Sequence, residues 1–328
     1  MTRRRSTSAA LVLMTLWGTA GCTLVSSWSQ NASAPSATST SLPLRPASRP
    51  LAQASTPGQK TTVAVISDFG QCDDGEQQVA DMVRSWDPAL IFSAGDNSQG
   101  VEGCVPFIES VGAYYGDYVD GPDGPRLYPA LGNHDYEDEG AGLAAYRAYF
   151  DYLETDDDFL GRWHLKSIGD LNVYLLDSNA PADDMPLQQH FLRSALGQAA
   201  PNTWNVVIFH HPPFTSGPHD PRLDMRPEAG WNFKEWGVDL VINGHQHVLE
   251  DVVVDGLHYV TVGVGGQTLV RPCPPVRALG SLTCMEGVGA ARLVTTDQAL
   301  SLEYRQPGAD PGSAYRLEIP RSSLTRGS

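Results

Sequence analysis

The segment LVINGHQHVLE, residues 240–250, is an apolar run that stops at a glycine and is followed at once by two histidines. The run predicts a buried strand over Val238–Ile242, because it is short, continuous and rich in β-branched residues. If the chain stays extended beyond that strand, His245 and His247 point to one side, with Cα atoms about 6 to 7 Å apart. Such a pair can bind one metal ion or two neighbouring ions, although a surface loop can also carry H-x-H without any metal.

The residues before this segment alternate between apolar runs and helical spacing. Thr61–Ser67 and Ala89–Ala94 are predicted strands, with one helix over Glu76–Trp86 and a second over Val105–Tyr118. The pattern continues with strands at 127–131, 162–168, 172–177 and 204–209, and with helices near 143–153 and 187–196. Strands that alternate with helices form βαβ units, which build a parallel sheet buried on both faces. The predicted fold class is therefore α/β.

The pattern changes after Val248, where turns rather than helices separate the apolar runs. Strands are predicted at 252–254, 258–264, 290–295 and 300–305, and this spacing favours antiparallel pairing. Residues 61–305 are predicted to form one domain, since they contain neither an internal repeat nor a second linker. The tail 306–328 is rich in proline and glycine, and an edge strand is expected there at Tyr315–Ile319.

The N-terminus has the features of an export signal. Three arginines at 3–5 precede an apolar run at 9–17 that is too short to span a bilayer, so residues 1–21 are predicted to be a signal peptide. The motif TAGC, which ends at Cys22, resembles the lipobox of bacterial lipoproteins, in which the cysteine becomes lipidated. Residues 22–60 are too poor in apolar side chains to fold and are predicted to be a disordered tether. We expect an exported cell-envelope lipoprotein, or otherwise a secreted or periplasmic protein.

Composition and charge restrict the partners. The chain has 328 residues, of which 41% are hydrophobic, so it can bury a substantial core. Its formal net charge is −16, and removal of the three arginines of the signal peptide makes it −19. Such acidity argues against nucleic acid and anionic lipid surfaces as partners. Membrane contact is expected only through a lipid on Cys22.

Four cysteines remain after Cys22, and an even number in an exported protein predicts disulfides. We favour Cys72 with Cys104, because each follows a predicted strand. The other pair is then Cys273 with Cys284, which flank a short loop. A zinc site of four thiolates is the alternative, although no C-x-x-C spacing supports it.

Metal-capable side chains follow five of the predicted strands, at the edge of the sheet where sites lie in open α/β folds. These segments are Asp68-Phe69-Gly70, Gly95-Asp96-Asn97, Gly132-Asn133-His134-Asp135, His210-His211-Pro212 and Gly244-His245-Gln246-His247. A single Asp or Asn at a strand end often only caps a helix, but five such ends in order predict one site. Carboxylate, amide and imidazole donors together suit zinc, manganese or iron rather than calcium, which takes oxygen ligands only.

The ordered motifs D-x-G, G-D, G-N-H-D, V-x-x-H and G-H-x-H resemble those of the calcineurin-like metallophosphoesterases. The motif has Gly70 where other members of this superfamily have a histidine, and in this it resembles the purple acid phosphatase branch, which includes tartrate-resistant acid phosphatases. The resemblance extends over residues 61–265 and implies a four-layer α/β/β/α sandwich of two mixed sheets flanked by helices. It also implies two metal ions and hydrolysis of a phosphate ester by in-line attack of a metal-activated hydroxide.

By this resemblance, Asp96 bridges the two metal ions. The first ion is completed by Asp68 and His247, and the second by Asn133, His210 and His245. The pair at the G-H-x-H motif therefore serves two different ions.

The same resemblance implies two catalytic histidines. His134 matches the histidine that contacts the phosphate, and His219, nine residues after His210, matches the leaving-group histidine of tartrate-resistant acid phosphatases. His210 satisfies V-x-x-H through Val207. Because adjacent side chains on a strand point in opposite directions, only one of His210 and His211 is expected to bind metal, and we choose His210.

One ligand of the purple acid phosphatases is missing. Their motif G-D-x-x-Y supplies a tyrosinate to a ferric ion, but Gln99 stands at that position here, and Gly70 replaces the histidine that other members of the superfamily use. The Gln99 amide oxygen or a water fills the vacancy, or else the first ion is bound weakly. We expect a colourless enzyme with divalent iron, manganese or zinc rather than a ferric–tyrosinate centre, and an optimum nearer neutral than acid pH.

The predicted function is hydrolysis of small phosphate monoesters. A phosphodiesterase or nucleotidase that uses the same site is one alternative. A non-catalytic surface lipoprotein that retains the scaffold to bind a partner is the other.

Overall fold

Two mixed β-sheets form the centre of the structure, a computed structural model that describes residues 60–136, 143–153, 161–266 and 271–321. The predicted signal peptide (1–21), Cys22 and the tether up to residue 59 lie outside the described residues, as do residues 322–328.

The described strands run in chain order as follows: β1 Thr61–Ile66, β2 Leu90–Ser93, β3 Leu127–Pro129, β4 His164–Ile168, β5 Leu171–Leu175, β6 Trp204–Ile208, β7 Leu240–Asn243, β8 Leu249–Val254, β9 Leu257–Val262, β10 Ser281–Met285, β11 Ala290–Thr295, β12 Ala299–Arg305 and β13 Tyr315–Pro320. The described helices are α1 Asp74–Ser85, α2 Gly112–Val119, α3 Ala144–Tyr149 and α4 Met185–Gly197.

The first sheet has the strand order β13-β12-β11-β1-β2-β3, and the second has the order β10-β8-β9-β7-β6-β5-β4. Strands β1, β2 and β3 run parallel at one side of the first sheet, and β5, β6, β7 and β9 run parallel in the second. The other strand pairs are antiparallel, and β13 lies at the edge of the first sheet beside β12. The carboxyl ends of the parallel strands are the positions from which the polar motifs extend.

Three hydrophobic clusters define four layers. The inner faces of both sheets share one core, in which Val65 and Phe92 of the first sheet join Val206 and Ile242 of the second. The outer face of the first sheet packs on α1, α2 and α3, and the outer face of the second sheet packs on α4 and the 225–238 segment. The predicted α/β/β/α sandwich of two mixed sheets is therefore confirmed.

Helix α1 shows how local sequence places an element behind the site. The Asp73 carboxylate accepts a hydrogen bond from the Glu76 backbone N–H at 2.9 Å and caps the helix. Val79, Ala80 and Val83 lie on one face and are buried against the first sheet. Burying a valine side chain contributes about 1.5–3 kcal/mol, so packing rather than helix propensity holds this helix in place.

Three expectations about individual elements are wrong. The helix predicted over Val105–Tyr118 begins only at Gly112, because Phe107 has a positive φ of 59° that an α-helix does not accommodate. Strand β7 begins at Leu240 rather than Val238. Strand β9 pairs antiparallel with β8 but parallel with β7, so the strands after Val248 are not all antiparallel.

Both favoured disulfides are present, Cys72 with Cys104 and Cys273 with Cys284. The first ties the loop after β1 to the loop after β2, and the second closes the segment that leads into β10. Among the helices within the described ranges, none is both long enough and apolar enough to cross a bilayer.

Candidate metal centre

The loops that follow β1, β2, β3, β6 and β7 meet at one edge of the sheet sandwich. The backbone N–H of Asp68 donates to the carbonyl of Gly95 at 3.1 Å, and the N–H of Gly244 donates to the carbonyl of His210 at 2.9 Å. The first bond joins two loops of the first sheet, and the second joins two loops of the second sheet. The backbone N–H of His245 links the two sheets, since it donates to the Asp68 carboxylate. The five strand ends that the sequence groups together are thus brought together.

Asp68 lies between the G-H-x-H loop and the core. Its carboxylate accepts hydrogen bonds from the backbone N–H of His245, at 3.0 and 2.9 Å, and from the Ser67 hydroxyl at 2.7 Å. The Nε2 atom of His247 lies 3.4 Å from Asp68 Oδ1. The predicted first-ion pair of Asp68 and His247 is therefore in direct contact.

His210 lies between the two carboxylates and is fully buried. Its Nε2 atom is 3.2 Å from Asp96 Oδ2 and 4.0 Å from Asp68 Oδ1. The other ring nitrogen, Nδ1, bonds to the carbonyl of Ala94 at 2.9 Å, which orients the ring with Nε2 toward the carboxylates. The Nδ1 atom of His245 is 3.2 Å from the same Nε2. Two imidazole nitrogens and two carboxylates therefore converge on one point.

The chain bends sharply at four of the predicted ligands. Asp68, Asp96, His245 and His247 all have positive φ angles, of 50°, 53°, 73° and 55°. A non-glycine residue in this region costs on the order of 1–3 kcal/mol, and such residues cluster at functional sites. The chain therefore does not stay extended through His245 and His247, since the segment turns immediately after β7.

The loop after β3 approaches Asp96 closely. The backbone N–H of His134 donates to Asp96 Oδ1 at 2.9 Å. A Cβ atom at Gly132 would collide with the Asp96 carboxylate, so only glycine lets the loops come this near. Asn133, between these two residues, is thereby held beside the Asp96 carboxylate.

Asp135 has a role that sequence reasoning missed. It is buried, and its carboxylate accepts hydrogen bonds from the backbone N–H and the side-chain amide of Asn97, both at 2.8 Å, and from the N–H of Gly132 at 2.8 Å. Burial and the nearby charge of Asp96 raise the pKa of Asp135 to about 7. Asp135 thus joins the Asp96 loop to the Asn133 loop.

His211 also lies in the site, which contradicts the expectation that it points away from His210. Strand β6 ends at Ile208, so the alternation of a strand does not extend to these residues. The His211 ring lies 4.3 Å from the ring of His245, and its Nδ1 bonds to the Ser178 hydroxyl at 2.8 Å. Ring nitrogens of His210, His211 and His245 come within 4.8 Å of one another, so His211 lies beside the predicted ligands.

Ser178 belongs to a sixth strand end that sequence reasoning did not use. Asp177 and Ser178 follow β5 just as the other motifs follow their strands. The Ser178 hydroxyl also accepts the backbone N–H of His211, at 3.1 Å. The polar residues Asp177 and Ser178 directly after β5 are the sequence signal that could have placed this strand end at the site.

His219 lies at the rim of the site and is partly exposed. Its ring centre is 4.6 Å from that of His245 and 6.1 Å from that of His247. Burial and the charge of His247 lower the pKa of His219. The distances place it beside the predicted ligands without making it one of them.

Gln99 lies next to Gly70, as its backbone N–H donates to the Gly70 carbonyl at 3.2 Å. Its Nε2 atom is buried and meets no hydrogen-bond partner within the described ranges. Gly70 has a φ of +85°, and a Cβ there would collide with the backbone of Asn97 and Ser98. A histidine ligand at position 70 therefore does not fit this loop.

The charges of the site favour a cation. Burial alone would raise the pKa of Asp68, but the hydrogen bond from His247 and the charge of His210 outweigh it and hold the pKa below its usual range. Burial opposes a charge on His210 too, yet Asp96 and Asp68 raise its pKa to about 9. Burial and His210 lower the pKa of His245 to about 3, which leaves this imidazole neutral at pH 7. A neutral imidazole has the lone pair that a metal ligand needs.

Unpartnered polar atoms show that the residues fit metal ions. Asn133 Oδ1 and His247 Nδ1 are buried and have no hydrogen-bond partner among the residues that the structure describes. Such atoms are costly unless a further group satisfies them. An amide oxygen, two carboxylates and imidazole nitrogens form a donor set for zinc, manganese or iron.

The model of the calcineurin-like phosphoesterase family matches residues 61–249. Among curated proteins, purple acid phosphatase 17 of Arabidopsis thaliana is 23% identical over 170 residues, which are 46% of this chain and 50% of that protein. This chain thus spans about half the length of that curated relative.

Solved structures show the same fold. Purple acid phosphatase PPD1 from yellow lupin (Lupinus luteus) seeds superposes with a TM-score of 0.63 and 16% identity, over 81% of this chain and 55% of that chain. GAP50, the anchor in the inner membrane complex of Plasmodium, superposes with a TM-score of 0.60 and 15% identity, over 79% and 89%. Because the family model covers more than half of the sequence, this chain belongs to the calcineurin-like phosphoesterases, a family of metal-dependent phosphoesterases, and within it is similar to the purple acid phosphatases.

Proposed function

We propose that the protein hydrolyses small phosphate monoesters at a dinuclear metal centre. The observation that carries this proposal is the convergence of two buried carboxylates and the His210 and His245 imidazoles on one point, with the Asn133 amide oxygen unpartnered beside them. The proposed ligands are Asp68, Asp96, Asn133, His210, His245 and His247. Gln99 is the candidate for the position that tyrosine takes in purple acid phosphatases.

Two divalent ions, when bound, supply positive charge for the phosphoryl oxygens and a water of lowered pKa, which for zinc falls to about 7. The carboxylates of Asp96 and Asp68 supply the negative charge that would bind these ions between the two sheets. His134, whose backbone is fixed on Asp96, offers its imidazole to the phosphoryl group. His219 at the rim donates a proton to the leaving oxygen.

The two disulfides support an oxidising compartment. We propose export with a lipid on Cys22, and small phosphate esters rather than nucleic acid as substrates. Labelling of expressing cells with a radioactive fatty acid tests the anchor: the wild type should carry the label and Cys22→Ala should not. Equal labelling of both would contradict the lipid attachment.

The central test combines metal analysis with a substrate comparison. After saturation with manganese, zinc or ferrous salts, we expect a pair of ions per chain and faster cleavage of p-nitrophenyl phosphate than of bis-p-nitrophenyl phosphate. Trace metal and no cleavage would refute the proposed function. Faster cleavage of the bis ester would instead favour a phosphodiesterase.

A non-catalytic role is the second candidate, and one observation favours it. GAP50 shares the fold at a TM-score of 0.60 and is described as an anchor in a membrane complex. The first metal position of this chain also has glutamine in place of tyrosine. The same assay separates the two, because a scaffold that only binds a partner would cleave neither ester.

A further inference from the structure

Gln246, the residue between His245 and His247, contacts the backbone of His219 with both ends of its amide. The His219 N–H donates to Gln246 Oε1 at 3.0 Å, and Gln246 Nε2 donates to the His219 carbonyl at 3.0 Å. Gln246 is fully buried. One side chain therefore satisfies both backbone groups of His219, as a neighbouring strand would.

The rest of the His219 loop is fastened separately. Glu250, which is buried at the start of β8, accepts hydrogen bonds from the Ser216 N–H at 2.8 Å and from the Thr215 hydroxyl at 3.1 Å. The Gly217 N–H then bonds to the Thr215 hydroxyl at 2.8 Å. Glu250 thus holds the start of the loop, and Gln246 holds its end at His219.

The geometry excludes two other roles for Gln246. Both polar atoms of its amide are used by His219, so neither is left for a metal ion. A role in filling space alone would not need an amide with donor and acceptor matched to one residue. Gln246 is the sequence neighbour of two proposed ligands, His245 and His247. Its two hydrogen bonds to His219 therefore fix the position of His219 relative to the metal centre.

We propose that Gln246 is a positioning residue that holds the His219 imidazole over the leaving-group oxygen. This inference rests on the proposed function. A protonated imidazole contributes about 10²–10⁴-fold to a step that needs proton transfer, and a displacement of 1 Å can cost about 10²-fold. The effect is confined to substrates whose leaving group requires a proton.

The test replaces Gln246 by methionine, which has a similar length and volume but lacks the amide. Gln77→Met, on the exposed face of α1, is the matched control for the substitution itself. With glycerol phosphate, whose alkoxide needs a proton, kcat of Gln246→Met should fall by about 10–100-fold at unchanged KM. With p-nitrophenyl phosphate, whose phenolate leaves without one, the change should stay below about 3-fold.

A double-mutant cycle shows whether Gln246 acts through His219. In the His219→Ala background, Gln246→Met should cause no further loss on glycerol phosphate, because the group that it positions is already gone. An independent further loss would overturn the inference.

Hydrogen exchange tests the contact without any turnover. In metal-free protein the His219 backbone amide should be protected in the wild type and in Gln77→Met, and should exchange faster in Gln246→Met. If Gln246→Met does not fold, Gln246→Glu takes its place, since it keeps the acceptor for the His219 N–H. Its loss of kcat on glycerol phosphate relative to p-nitrophenyl phosphate should lie between those of the wild type and His219→Ala.

The outcomes separate the two proposals. If the wild type cleaves neither ester, the proposed function fails and the positioning role fails with it. If the wild type is active but Gln246→Met slows both esters equally, or neither, only the positioning role is overturned. Unchanged exchange at His219 would overturn it as well.

Discussion

Asp135 and Asn97 join the two central loops of the metal centre. The Asp135 carboxylate accepts hydrogen bonds from the backbone N–H and from the side-chain amide of Asn97, each at 2.8 Å. Asn97 directly follows Asp96, and Asp135 lies two residues after Asn133. A carboxylate that binds no metal in our proposal therefore sets the distance between the bridging ligand and the amide ligand.

Replacing Asp135 by alanine should both destabilise the fold and weaken metal binding. The change leaves the buried donors of Asn97 and Gly132 without this acceptor, at a cost of about 1–3 kcal/mol for each unsatisfied group. Urea unfolding of the metal-free protein should show a loss of about 3–5 kcal/mol. Asp135→Asn, which keeps one acceptor oxygen, should lose less of the free energy of unfolding. An alanine variant as stable as the wild type, with full metal content, would contradict this role.

The adjacent histidines should differ in their effect on metal binding. His210 contacts both carboxylates and is fully buried, whereas His211 is held by Ser178. His210→Ala should lower metal affinity by more than the roughly 10–100-fold that removal of an outer partner costs. His211→Ala should retain the full metal content. Elemental analysis after dialysis measures this, and equal losses in the two variants would make His211 a ligand too.

The colour of the iron-loaded protein tests the role of Gln99. Without a tyrosinate at this position, the wild type should show no tyrosinate-to-iron absorption in the visible range. Gln99→Tyr should gain that absorption when loaded with ferric iron, because the phenolate then occupies the ligand position. The spectrum of each protein, recorded before and after removal of iron, is the measurement. A band in the wild type, or its absence in Gln99→Tyr, would contradict the assignment.

Glu76 should make the stability of the metal-free protein fall as pH rises. Its carboxylate accepts the N–H groups of Gln71 and Cys72, yet burial raises its pKa to about 8, above the ordinary 4.5. A raised folded-state pKa means that the folded protein binds more protons between these values, so its contribution is present below pH 4.5 and is lost as pH approaches 8. Over this window the wild type should lose a few kcal/mol more than Glu76→Gln.

Urea unfolding of both proteins at pH 5 and pH 8 measures that difference. The comparison with Glu76→Gln removes the contributions of other titrating groups, because they are shared. Parallel pH dependence in the two proteins would mean that Glu76 is already ionised in the folded state.

The strands and helices that build the layers follow from sequence patterns that act locally. The β-branched runs at Thr61–Ile66 and Trp204–Ile208 indicate strands buried on both faces of a sheet, and Val79, Ala80 and Val83 place a helix against one of these faces. Where the local rule fails, a backbone angle is the reason. Phe107 in a left-handed conformation delays α2 to Gly112, and an apolar pattern does not encode that angle.

The candidate ligands could be grouped from the sequence because each follows a strand, and strand ends of an α/β sheet lie along one edge. The exceptions are residues whose role depends on a contact between distant segments. Asp135 was part of a recognised motif, but its bonds to Asn97 cross 38 residues. Strand alternation predicts that His211 points away from His210, but β6 ends at Ile208, before both residues.

The sequence alone was enough to predict the α/β class, to favour the two cysteine pairs and to set out the order of the polar motifs, since periodicity and strand-end position are properties of short segments. The four-layer sandwich was implied only by the resemblance of those motifs to a known family. Only the tertiary structure decided which side chain faces which: that His210 stands between Asp68 and Asp96, that Ser178 orients His211, and that Gln246 holds His219. These relations depend on positive φ angles and on glycine contacts between loops. They arise from packing of the two sheets, which no single segment contains.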